Sequence, residues 1–170
     1  LLRAIFGEGN TGQWATAIAK SWQTYIGHSM DLWHMFGGTR RLLEDWHVPN
    51  PDNNVVKLMR ARGPNGENKW VDMAMEHVDW NRVTHKDGSP VAVTDRRKFL
   101  SDIYETKITD GAFKDGKAPF FMDRERVLHY KSADSWQKMH DAFGDGTVYD
   151  VMQHHIKNVS HDLALIEVFS

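Results

Sequence analysis

NTGQWATAIAKSWQTYIGHSMDLWHMF, residues 10–36, decides how the rest of the chain is read. Trp14, Ile18, Trp22, Tyr25, Ile26, Met30 and Trp33 recur at steps of three and four residues. A helix turns about 100° per residue, so such steps predict one long amphipathic helix with a single apolar stripe. Asn10-Thr11-Gly12 offers a cap before it, and Gly37 and Gly38 offer a stop after it. Gly27, inside the pattern, weakens a helix, so it marks a close helix crossing or a kink.

Helical period continues outward from this segment. TRRLLEDW, 39–46, reads as a short helix capped by Thr39, and VPNPDN, 48–53, breaks the chain twice with proline. NNVVKLMRAR, 53–62, is a third helix with Asp52 or Asn53 as cap. GPNG, 63–66, is a turn, and NKWVDMAMEHVDW, 68–80, is a helix with Trp70, Met73, Ala74 and His77 on one side. THKDGSPVAV, 84–93, is a loop. Thr94 is the expected cap of the next helix, 95–108, which buries Phe99, Leu100, Ile103 and Tyr104. TDGAFKDGKAP, 109–119, is an exposed loop, and FFMDRERVLHYK, 120–131, fits a short helix or an extended segment. Ser132 caps ADSWQKMHDAF, which ends at Gly144, and Thr147 caps the last helix. Nothing alternates as a strand does, and there are no repeats of solenoid period. The expectation is an all-α compact bundle of about six to eight helices, most of them short, joined by Gly/Pro-rich loops.

Length and composition agree. The 170 residues suit one helical domain over 1–170, and a 41% hydrophobic share supplies a core. Leu1 at the start, and a helical pattern still running at the end, suggest an ordered fragment of a longer polypeptide. A net charge of −2 gives no general pull toward nucleic acid or an anionic membrane. The absence of cysteine excludes disulfides, thiolate metal sites and a cysteine nucleophile, and fits a reducing interior or a particle assembled there. No apolar run is long enough for a transmembrane segment.

The final helix raises a question of chemistry, because VMQHHIKNVSHDLALIEVFS, 151–170, holds three histidines and an aspartate. Val148, Val151, Met152, Ile156, Val159, Leu163 and Ile166 fall in one arc, the core face. His154 and His161 lie outside it, seven residues or roughly 10 Å apart along the axis, too far to share one zinc ion. His155 and Asp162 fall inside the arc. A buried carboxylate is costly without partners, so the pair reads as a structural polar contact setting helix register, with a general acid–base role as the alternative. No ligand-spaced metal set, phosphate loop, nucleophile elbow or kinase signature is present, and no cofactor is implied. Glu8, Glu44, Asp45, Glu76 and Asp79 are the carboxylates a cell-wall hydrolase would draw on, and none stands out. Most of the seven tryptophans belong on apolar faces. Trp14, Trp22, Trp33 and Trp136 are candidate contact aromatics if part of that surface meets another protein or another part of the same chain.

Three stretches carry a family resemblance. FGGTRRLLEDWHVPNPDNNVVKL, 36–58, with its glycine pair and Trp46-x-x-Pro49, resembles a segment of large virion proteins of tailed bacteriophages. IYETKITDG, 103–111, resembles a stretch further along those chains. The stretch 125–169 resembles their most specific part, through His129, Lys131, Ala133, Trp136, Phe143, Gly144, Gly146, Met152, His155, Ile156, Asp162, Ala164 and Leu165. At His161 the pattern often has arginine, so no arginine-specific role carries over. The resemblance implies a conserved helical region of an internal, ejection-type protein. Such a protein is located in the virion and enters the host cell after ejection. It implies assistance to genome delivery through self-assembly as a homo-oligomer, or assembly with portal, tail or other internal proteins. A virion-associated enzyme such as a cell-wall hydrolase is the alternative. The resemblance assigns no catalytic residue, so this region is expected to be non-enzymatic, with His155 and Asp162 defining the fold.

Overall fold

The computed structural model describes residues 1–38, 51, 53–85, 87–108 and 128–169, the side chain of 169 excepted. Among them the chain is all-α: seven helices, one 3-10 turn over Val93–Asp95, and no strand or sheet. The helices are α1 (Leu2–Ile5), α2 (Gln13–Met35), α3 (Val55–Arg60), α4 (Lys69–His77), α5 (Arg96–Ile108), α6 (Ala133–Phe143) and α7 (Val148–Phe169). Sequence reading treats 1–170 as one domain; the internal contacts divide it into two compact units. The expected helix at 39–46, the loop at 109–119 and most of the ambiguous 120–131 stretch lie outside the described residues, as do Trp46, Glu44 and Asp45.

The first unit contains α1, α2 and α7. α1, too short to show a periodic stripe, was not expected. It packs on α2 and buries Leu2 and Ile5. α2 runs unbroken for 23 residues through Gly27. Among the described residues nothing comes within 4 Å of where a Cβ on Gly27 would stand, so no close helix crossing is found there. The single stripe expected on α2 is corrected. Trp22, Ile26, Met30 and Trp33 are buried, but Trp14 is 77% exposed and Ile18 41%. The series 14–18–22–26–30 advances by fours, and each step of four gains about 40° on an ideal helix. The series therefore spirals from one face to another. α7 packs against α2 with Val151, Met152, His155, Val159 and Asp162 buried, while Ile156, expected inside, is 40% exposed.

The second unit holds α3 to α6. α4 packs on α5 and α6, and α3 on the same two helices. Its core includes Leu58, Trp70, Ala74, Leu100, Tyr104, Trp136 and Met139, each almost fully buried. Trp70 and Tyr104 rings lie 5.8 Å apart, and the Tyr104 hydroxyl donates to the Leu58 carbonyl at 2.6 Å. α3 is capped by Asn54, whose side chain accepts from the Lys57 amide at 3.0 Å, rather than by the expected Asp52 or Asn53. The start of α3 is tied to the end of α6: Asn54 N–H donates to the Phe143 carbonyl at 2.9 Å and Lys57 Nζ to the Gly144 carbonyl at 2.7 Å. Asn68 caps α4 through two backbone amides. Thr94 does not cap α5; it lies within the 3-10 turn and its hydroxyl donates to Asp95.

Candidate functional site

The two polar residues expected on the core face of α7 are both there. His155 is 9% exposed and Asp162 4%. The His155 ring meets Trp22 of α2 edge-on, with centroids 5.3 Å apart. An imidazole used this way fills space between helices in one of the tilted arrangements that ring pairs favour. Asp162 lies 3.5 Å from the Nδ1 of His161, whose side chain is 68% exposed. That contact is long and its partner solvated, so it adds little. His154 and His161 face solvent, as the helical phase requires. Among the described residues no three of His, Asp or Glu converge on one point as a metal site would need.

The second unit holds a polar chain that sequence reading missed. His77 at the end of α4 and Ser135 at the start of α6 are both buried, with Nδ1 and Oγ 3.2 Å apart. Ser132 caps α6 by accepting from the Ser135 amide at 3.1 Å, and its hydroxyl donates to Ser135 Oγ at 3.2 Å. With Ser132 donating, the proton of Ser135 is free to go to His77 Nδ1, which requires a neutral acceptor nitrogen there. Burial pushes the His77 pKa below its ordinary value; Lys138 and Lys131 act in the same direction and Glu76 opposes them. A serine and a histidine in contact invite a nucleophilic reading. This serine instead sits enclosed at a helix start, and its contacts join α4 to α6. No sequence signal linked the two, because 58 residues separate them.

Two further groups are chemically notable. His140 stacks on Trp136 with centroids 4.7 Å apart, and its Nε2 donates to the Gly146 carbonyl at 3.0 Å. Gly144 lies so close that a Cβ there would stand 2.3 Å from His140 Nδ1. Lys107, half-buried, has its ammonium pKa pushed down to about 8 by burial. A depressed amine alone defines no site.

The candidate contact aromatics divide. Trp22, Trp33 and Trp136 are buried at 4%, 1% and 0%, which corrects their reading as a surface: they are core. Trp14 stands out in solvent, and it is not isolated. Ile18, Leu32 and Met35 of the same helix are also exposed, at 41%, 42% and 77%. Within 128–162, His129, Ala133, Trp136, Phe143, Met152, His155 and Asp162 are all buried. Those residues report packing rather than chemistry. No family model, curated protein or solved structure matches the chain.

Proposed function

We propose that this chain is a structural and interaction domain of an internal, ejection-type protein of a tailed-bacteriophage particle. On this reading it assembles with copies of itself or with portal, tail or other internal proteins, and it assists genome delivery into the host. The observation that carries the proposal is a long helix, α2, with one face in a core and another apolar face in solvent. Such a face offers contact area rather than a reaction site. The resemblance at 36–58 and 125–169 supplies the particle. The polar residues that drew attention as chemistry, His155, Asp162, His77 and Ser135, sit where packing explains them.

Genome delivery asks a protein to cross a narrow tail and pack again afterwards. Short helices in small units, with glycine-bearing turns between them, suit such loosening, because each carries little local stability of its own. The test is mass spectrometry of purified particles before and after triggered genome release, following peptides from 1–170. Loss of those peptides together with the DNA is the expected result. Their retention in the shell would make the domain a fixed component. Their absence from the particle would overturn the proposal.

A further inference from the structure

We infer that the exposed face of α2 is a self-pairing surface: it meets the same face of a second copy, antiparallel, across a two-fold axis beside Tyr25. This rests on the assembly reading above and names its partner, surface and symmetry.

The face is built at coiled-coil spacing. Trp14, Ile18, Ser21, Tyr25, His28, Leu32 and Met35 follow one another by alternating steps of four and three. That rhythm keeps a stripe facing one partner, drifting only about 20° per heptad on a straight helix. All seven are exposed or half-exposed, and they run almost the full length of α2. The stripe is separate from the buried one of Ala19, Trp22, Ile26 and Trp33, which packs within the first unit. Tyr25, its middle member, is steadied by a hydroxyl that donates to the Ile156 carbonyl at 3.4 Å. Next to it the exposed Ile156 of α7 widens the apolar surface.

Two features select a second copy in antiparallel register. The first is size. About Tyr25, Ile18 and Leu32 are both seven residues away, so each meets the other's counterpart. Trp14 and Met35, 11 and 10 residues away, do the same at the ends. The two most exposed apolar side chains of the stripe thereby cover one another. The second is charge. Lys20 and Asp31, both exposed, lie on the same flank of the stripe, five and six residues to either side of Tyr25. An antiparallel two-fold brings each Lys20 to an Asp31 of the other copy, twice per dimer. Parallel pairing puts this flank of the two copies on opposite sides of the interface, so the two charges do not meet and nothing is gained.

Sedimentation velocity of the 170-residue chain over a concentration series tests this, with circular dichroism as the check that variants stay helical. The unmodified chain is expected to pass from monomer to dimer. Ile18→Glu places two charges in the paired face and is expected to weaken dimerisation by at least about a hundredfold. Lys20→Glu and Asp31→Lys alone are each expected to weaken it by about five- to tenfold, and the double exchange to restore it. A helical protein that stays monomeric throughout would overturn the inference, as would a dimer indifferent to Ile18→Glu. A dimer not rescued by the double exchange would overturn its antiparallel register. Particle mass spectrometry, which reads location and not association, would still stand or fall on its own.

Discussion

At the residue scale, a polar side chain in a core is informative according to who answers it. Asp162 is held inside, while its visible neighbour His161 is largely in water. Asp162→Ala is therefore expected to cost about 1–3 kcal/mol, because it strips a buried acceptor from the packing. His161→Ala should stay within about 0.5 kcal/mol. Urea denaturation of the two variants separates them, and equal losses would place the stabilisation in the ion pair. His77 has a pH signature. Its folded pKa lies below the unfolded value near 6.5, so the unfolded chain binds the extra proton first. Stability that depends on burying His77 as a neutral ring is then complete above that value and declines as pH falls through it toward the folded pKa. The midpoint of denaturation should fall on acidification below about pH 6.5, and less so in His77→Gln. A wild-type midpoint that rises on acidification would contradict the neutral imidazole. These placements were partly legible. His155 and Asp162 could be put on the core face from helical phase alone. The His77–Ser135 contact could not, because it depends on two helices meeting.

At the element scale, the ends of helices obeyed local chemistry where one side chain had only its own helix to serve. Ser132 caps α6, and Thr147 caps α7 in a reciprocal box: its hydroxyl accepts from Asp150 N–H at 3.3 Å, while Asp150 accepts from Thr147 N–H at 2.6 Å. Ser132→Ala and Thr147→Ala are each expected to cost about 1 kcal/mol in chemical denaturation, and Thr147→Ser to recover most of its share. An unchanged stability in both alanine variants would show the helix ends held by tertiary contacts instead. The caps of α3 and α5 were less legible. Asn54 competes with two adjacent candidates of equal chemistry, and what singles it out is its amide, which reaches the Phe143 carbonyl at the end of α6. Thr94 has the right side chain, but the chain turns there as a 3-10 segment before α5 begins.

At the scale of the whole molecule, apolar residues divide between interior and surface, and the division bears on function. The tryptophans show it. Trp33, Trp70 and Trp136 fill cores, whereas Trp14 stands in water on the same helix as Trp22 and Trp33. What the sequence by itself determined is the all-α class, the long α2 and α7, and the inward placing of His155 and Asp162. All of these follow from a period of about 3.6 residues, a property of the local backbone. Tertiary structure alone decided three further things: that the chain gathers into two compact units, that His77 meets Ser135, and that α2 has two apolar stripes rather than one. Period says which residues share a face; it does not say which face finds a neighbour. Helices α1 and α7 pack on α2, while its Trp14, Ile18, Leu32 and Met35 stay exposed. That choice is made by contacts between elements far apart in the chain, where burial of apolar area outweighs any local preference.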